Sequence, residues 1–139
     1  MNRAPIIVAL MLFSTYLFSQ QLRAKIYAID YYIVTETPIP ERILLEEKST
    51  DYFGQELVEL KKCLKTIKGI KFEDDEIDAR LLIDVYIKNR KQFRICFGAW
   101  GDYKYHGKYY EPNSKLNEIV ERITGKKFII SPVPLHPQQ

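Results

Sequence analysis

The chain has 139 residues, of which 46% are hydrophobic and 28% charged, and its formal net charge is +3. This length fits one domain, and the apolar fraction is too high for a disordered chain. Nucleic-acid-binding proteins usually carry a larger and more clustered basic excess, so we expect no nucleic-acid partner.

Residues 1–24 have the pattern of a signal peptide. Arg3 precedes an almost wholly apolar run over residues 4–18, which is shorter than the ~20 residues that span a bilayer. Polar residues follow, and we expect cleavage somewhere within residues 19–24. The sequence therefore predicts an exported protein, periplasmic or extracellular, with no stable membrane insertion after cleavage. The alternatives are a buried N-terminal helix and an uncleaved anchor.

The next segment, residues 25–127, is predicted to form a single domain. Its first part, residues 25–35, is rich in β-branched and aromatic side chains, which is typical of a strand. Pro38 and Pro40 should end this strand. Residues 41–47 then suit a short helical turn, with a proline near its first position.

A helix is predicted over residues 52–68. Thr50 or Asp51 should cap its start and Gly69 should end it. The helix is indicated by apolar residues that recur at helical spacing and form one stripe, namely Phe53, Leu57, Leu60, Leu64 and Ile67.

Two strands are predicted over residues 79–88 and 92–100, joined by a turn. Apolar and polar residues alternate through both segments, which indicates half-buried strands. Gly98 and Gly101 suggest a bulge or bend at the end of the second strand. If apolar faces meet across the pair, the expected partners are Ile87–Phe93, Val85–Ile95 and Ile83–Phe97.

A second helix should begin at a Ser114 cap and end at Gly125. Its apolar face is formed by Leu116, Ile119, Val120 and Ile123. Residues 128–139 form a Pro-rich tail, and its start, Phe128 to Ile130, could add an edge strand or pack against the sheet. The fold class predicted from these elements is α+β, with a three- to four-stranded antiparallel sheet and two helices packed on one face.

The sequence predicts no catalytic residue, no metal site and no cofactor. The acidic run at residues 73–78 lacks the glycine and the spaced acidic residues of a calcium loop, which favours a solvated loop. His106 and His136 are too few for most zinc sites.

Cys63 and Cys96 are predicted not to form a disulfide, although export would permit one. Cys96 has the strand parity of Arg94 and Trp100, and so points away from the face that should carry Phe93. Cys63 flanks the apolar stripe of a helix that must cover that same face. The two thiols should therefore lie on opposite sides of the sheet.

Aromatic residues are concentrated in a segment that has the pattern of a short hairpin. Tyr103–Tyr105 and Lys108–Tyr110 flank the dipeptide His106-Gly107, where positive φ angles are tolerated. Tyrosine and tryptophan are enriched at interfaces, but such residues also stabilise hairpins by pairing across strands. The candidate binding residues are Trp100, Tyr103, Tyr105, His106, Tyr109 and Tyr110.

Two classes of function fit the sequence. The first is a non-enzymatic binding or inhibitor-like module that uses the tyrosine-rich hairpin and takes a protein or carbohydrate partner. The second is a small exported hydrolase or thiol-redox protein. The sequence shows no nucleophile beside a base, which favours the first class.

Overall fold

The computed structural model describes residues 5–12, 22–67, 71–72 and 77–129, and these form an α+β fold. One antiparallel sheet has the strand order β2-β1-β4-β5-β6-β7-β3. Its strands are β1 (Leu22–Ala28), β2 (Thr50–Tyr52), β3 (Lys71–Phe72), β4 (Leu81–Ile87), β5 (Arg90–Phe97), β6 (Tyr103–Tyr105) and β7 (Lys108–Tyr110). The helices are α1 (5–12), α2 (Glu41–Leu44), α3 (Glu56–Thr66) and α4 (Ser114–Thr124).

The predicted fold class is right in kind, but the predicted strand number is too low. The sheet has seven strands within the described residues. Two that the sequence did not predict, β2 and β3, are edge strands of three and two residues. Strands this short carry no periodic signal. Strand β2 also contains Thr50 and Asp51, so the predicted capping role of these residues is wrong. Helix α3 begins later, and Phe53 is 61% exposed instead of joining the apolar stripe.

Strand β1 starts and ends earlier than the predicted strand over residues 25–35. Leu22 and Ala24 are fully buried and pair with Ile87 and Val85 of β4. The strand ends at Ala28, because Asp30 accepts a hydrogen bond from the Tyr32 amide at 2.9 Å and turns the chain.

The register predicted for β4 and β5 is wrong by two residues. Val85 faces Phe93 and Ile83 faces Ile95. The strands are joined by a two-residue turn at Lys88 and Asn89, with Lys88 at a φ of 54°. A bulge after Val85 leaves one extra residue on β5 and keeps the apolar side chains of both strands on one face.

The two longer helices pack on one face of the sheet, as predicted. The core between them and the sheet is formed by apolar residues of both layers, including Leu57, Leu60, Leu64, Leu116, Ile119, Val120, Ile83, Val85, Ile95 and Phe97. A smaller cluster occupies part of the opposite face, where α2 and a nearby loop cover β4 and β5; it consists of Leu44, Ile77, Ala79, Leu82 and Cys96.

Both cysteines are free and buried. Cys63 belongs to the core under the helices and Cys96 to the smaller cluster on the other face. The prediction that they do not bond is therefore confirmed, and its physical reason, the parity of β5, is confirmed with it.

Helix α4 has the predicted apolar face but a different cap. The Asn113 side chain accepts a hydrogen bond from the Leu116 amide at 3.0 Å, so Asn113 is the N-cap and Ser114 the first helical residue. The helix ends at Gly125, whose φ is 69°, as predicted. Phe128 then packs into the core, with its ring 5.5 Å from the ring of Tyr31.

The side chains of α1 are exposed, which does not fit the alternative of a buried N-terminal helix. In the part of the chain that the structure describes, no helix is both long and apolar enough to cross a membrane. Several predicted features lie outside the described residues: the first half of the cleavage region (19–21), Gly69, the start of the acidic run (73–76), and the tail from residue 130 with His136.

Candidate functional site

The six residues proposed from the aromatic pattern do not form one surface. Tyr103 and Tyr110 are buried in the core under the helices, and their rings stack across β6 and β7 at 5.0 Å. Tyr105 packs against the same core and meets the Phe93 ring edge-on at 6.1 Å. These three tyrosines thus make the cross-strand and core contacts that the alternative interpretation expects.

The other three candidates lie apart from that group. His106 is exposed in the hairpin turn with a φ of 51°, and its ring lies 4.0 Å from the Tyr105 ring. Tyr109 lies on the opposite face, against the smaller cluster, and its hydroxyl donates a hydrogen bond of 2.6 Å to Asp102. Trp100 is 48% exposed in the loop between β5 and β6.

Trp100 lies in a region where exposed apolar side chains surround a cavity. A cavity of about 310 Å³ lies beside its ring; we call it the Trp100 pocket. It is lined by Tyr31, Tyr32, Ile33, Val34, Thr35, Asp78, Arg80, Gly98, Ala99, Trp100, Asp102 and Ile129. Three of these apolar side chains are exposed as Trp100 is: Tyr32 by 74%, Ile33 by 46% and Val34 by 94%. Contiguous exposed apolar side chains mark interaction sites.

Arg80 holds the two sides of this pocket together. Its guanidinium is buried and forms an ion pair with Asp78, donating to both carboxylate oxygens. The same group donates to the Ile33 carbonyl at 2.9 Å, which ties the exposed apolar segment to the start of β4. Because the charge of Arg80 is matched by Asp78, this arginine has a structural role in the pocket.

The loop that carries Trp100 is held by Asp102 and two glycines. The Gly98 amide donates to the Asp102 carbonyl at 2.9 Å. A Cβ on Gly98 would lie 2.4 Å from Asp102 Oδ1, so only glycine fits there. Gly101 has a φ of 84°, and a Cβ on it would lie 2.2 Å from the side-chain nitrogen Nδ2 of Asn117. Trp100 is therefore presented by a closely packed loop.

Asp102 is buried, and burial raises the pKa of its carboxyl group, while the hydrogen bond from Tyr109 acts in the opposite direction. Tyr31 is buried beneath the apolar segment, and desolvation raises its pKa to about 12. The Ile129 amide closes this side by donating to the Ala99 carbonyl at 2.8 Å.

The aromatic pattern of the sequence points to Trp100 but not to its apolar neighbours in the pocket. Tyr32, Ile33 and Val34 follow an apolar run and were assigned to the first strand. The signal that separates them from the strand is Asp30, whose side chain makes a local turn.

Outside the Trp100 pocket, the described residues offer few groups suited to metal binding or catalysis. Among them, no three side chains of the metal-binding types come close enough to hold an ion. A groove of about 400 Å³ between α3 and α4 is lined mainly by charged residues, including the Glu59–Arg122 ion pair. Cys63 lies in this groove, and burial raises the pKa of its thiol.

No family model matches the sequence, and the searches of curated proteins and of solved structures find no match either.

Proposed function

We propose that this chain is a small exported binding protein without catalytic activity, and that its partner docks at the Trp100 pocket. One observation carries the proposal: four large apolar side chains, Tyr32, Ile33, Val34 and Trp100, are exposed around a single cavity. Leaving this area in water has a cost that a partner would remove.

A protein partner suits the pocket better than a carbohydrate. Sugar recognition needs accessible polar groups beside an aromatic ring. Here both oxygens of Asp78 accept hydrogen bonds, and the terminal nitrogens of Arg80 donate to Asp78 and to the Ile33 carbonyl. Arg80 Nε and Asp102 Oδ1 have no partner among the described residues, but both atoms are buried and cannot reach a sugar. Ile33 and Val34 instead supply aliphatic area beside Trp100, as in the apolar centre of a protein interface. A cavity of about 310 Å³ is large enough for one or two apolar side chains of a partner.

This proposal moves the centre of binding away from the hairpin. Of the six candidates from the sequence, Trp100 lines the pocket, whereas Tyr103 and Tyr110 are buried in the core. Their substitution should reduce stability first, and binding only as a consequence.

Export is part of the proposal and rests on the apolar run and polar exit of residues 1–24. The fold adds one constraint. Leu22 and Ala24 are buried in β1, so a cut after residue 24 would remove two core side chains and shorten a strand that is paired on both sides. We therefore propose cleavage before Leu22.

The alternative enzyme classes have less support. Thiol chemistry needs an accessible thiolate, whereas Cys63 and Cys96 are both buried and burial raises both thiol pKa values. A hydrolase could use the two carboxylates of the pocket. However, Asp78 is bound by Arg80 and the Ile39 amide, and Asp102 Oδ2 accepts from Tyr109.

The test is capture of partners from the envelope fraction by the purified full chain. Trp100→Ala and Val34→Asn should each reduce the amount captured at least tenfold, because a central interface residue contributes about 2 kcal/mol or more. Both side chains are exposed, so the melting temperature should change little.

Phe53→Ala is the matched control, because Phe53 is even more exposed than Trp100 but lies outside the pocket. It should leave capture unchanged. Equal loss in all three variants would show that capture depends on exposed apolar area in general. The proposal that the partner docks at the Trp100 pocket would then be wrong.

A further inference from the structure

The opposite end of the sheet carries a group of basic side chains that the Trp100 pocket does not use. Strand β1 enters the sheet at Leu22, beside Ile87 at the end of β4. At this point β1 contributes two basic residues, the turn between β4 and β5 contributes one, and the first two residues of β5 contribute two more. We call this group the basic end; its members are Arg23, Lys25, Lys88, Arg90 and Lys91.

Part of the basic end is organised around one aromatic ring. The Arg23 guanidinium lies 5.4 Å and the Lys25 ammonium 5.7 Å from the centre of the Tyr86 ring. Tyr86 also faces Lys91 across the strands. The cation–π contacts hold Arg23 and Lys25 on the face of the sheet opposite the two longer helices, and they do not neutralise the positive charges.

The nearby carboxylates offset only part of this charge. Asp84 is buried and pairs with Arg94 at 2.7 Å and with Lys91 at 3.4 Å. Asp51 lies opposite Lys25 in the register, and Glu41 is near Arg94. Among the residues that the structure describes, no carboxylate pairs with Arg23, Lys88 or Arg90.

The position of the basic end indicates what it meets. The chain reaches Leu22 from the apolar N-terminal run, and nine residues, 13–21, separate the described helix α1 from β1. A leader is removed at the membrane surface, and the proposed cut lies directly before Leu22, so the basic end is the part of the mature domain next to the lipid when the leader is cleaved. We propose that the basic end docks the domain on an anionic bilayer surface, with lipid headgroups as its ligands.

This inference rests on the export proposed above and does not depend on the Trp100 pocket. Basic residues next to an anionic surface each raise the partition coefficient roughly fivefold. Lys88 and Arg90 are exposed and lie outside the ion pairs, so they can be changed without removing a structural contact.

The test measures co-sedimentation of the full chain with phosphatidylcholine vesicles that contain or lack phosphatidylglycerol, at about 0.1 M salt, where charges are screened over about 10 Å. The apolar N-terminal run can enter both vesicles. The ratio of the two partition coefficients therefore isolates the contribution of charge. We expect a preference for the anionic vesicles that weakens as salt is added.

The double variant Lys88→Asn with Arg90→Gln should lower this ratio roughly 25-fold; asparagine tolerates the positive φ of Lys88. The matched control, Lys126→Gln with Lys127→Asn, removes the same charge near Tyr31 and Ala28, at the other end of β1. That end is roughly 20 Å away, beyond the screening length, so the control should keep the ratio.

Three results would overturn the proposal. The first is no preference for anionic vesicles, and the second is an equal loss in both double variants. The third is release by inorganic phosphate or polyglutamate at matched ionic strength, which would assign the basic end to a discrete phosphate site or to an acidic protein segment. Intact-mass measurement of the exported chain separates a failure of docking from a failure of export.

Discussion

Asp102 shows how a single residue couples the Trp100 loop to the sheet. Its carbonyl accepts from Gly98, its carboxylate accepts from Tyr109, and its side chain fills the space that glycine leaves at position 98. The carboxyl group is buried, and an ionised carboxylate is costly to bury. The loop therefore gains its geometry at some electrostatic cost.

That cost predicts a pH dependence of stability. Burial raises the pKa of Asp102 above the ordinary value of 3.8, so the folded state holds this proton more tightly than the unfolded state. The penalty is absent below 3.8 and grows as pH rises through the raised pKa. Asp102→Asn removes the charge and keeps an oxygen that can accept from Tyr109. Relative to the parent, this variant should gain stability between acidic and neutral pH, measured by urea unfolding. A constant difference across that range would contradict the assignment.

Gly107 allows a second test at the scale of one residue. Its φ is 72°, and a Cβ at this position would meet no atom within 4 Å. Any loss on substitution therefore comes from the backbone conformation alone. Gly107→Ala should lower the free energy of unfolding by about 1 kcal/mol. Gly107→Asn should lose less, because asparagine tolerates positive φ. If the thermal melts of both variants match that of the parent, the positive φ of Gly107 imposes no strain on other residue types, contrary to this prediction.

The hairpin of β6 and β7 was predictable and the pairing of β4 with β5 was not, for a local reason. His106-Gly107 adopts positive φ at both positions, and that preference is contained in the dipeptide itself. The register of β4 and β5 depends on the bulge opposite Val85, which no single residue signals. Parity alone still placed Cys96 on the correct face.

Helix α4 provides the prediction at the scale of an element. The Asn113 side chain accepts from the Leu116 amide, whereas Ser114 is exposed at the first helical position. Asn113→Ala should destabilise the domain by about 1 kcal/mol. Ser114→Ala should change it by less than about 0.5 kcal/mol. Urea titrations of the two variants provide the comparison, and the reverse order would restore Ser114 as the cap.

The candidate site shows where sequence reasoning stops. Tyr32, Ile33 and Val34 have the composition of a strand, and only tertiary contacts leave them exposed. Tyr31 turns inward to stack on Phe128, and the Arg80 guanidinium holds the Ile33 carbonyl. Both contacts join residues that are far apart in the chain, so no local pattern could reveal them.

For the molecule as a whole, the fold limits where a leader can be removed. Leu22 and Ala24 are buried and pair with β4, so the mature chain should begin at Gln20, Gln21 or Leu22. Intact-mass measurement of the protein recovered after export decides this. A mature N-terminus at Lys25 would mean that the domain folds without the first three residues of β1, contrary to their burial. Soluble protein that retains Met1 would show that no leader is cleaved, and the predicted signal peptide would be wrong.

The central claim, docking of a partner at the Trp100 pocket, is tested most directly through Trp100 itself. It is the single tryptophan of the chain, so a chain labelled with 5-fluorotryptophan gives one fluorine NMR signal, from the ring beside the pocket. Titration with the partner recovered by capture should shift or broaden this signal in the parent and in Phe53→Ala. The same titration should have much less effect in Val34→Asn. A partner that binds the parent chain while the Trp100 signal stays unchanged would contradict the account.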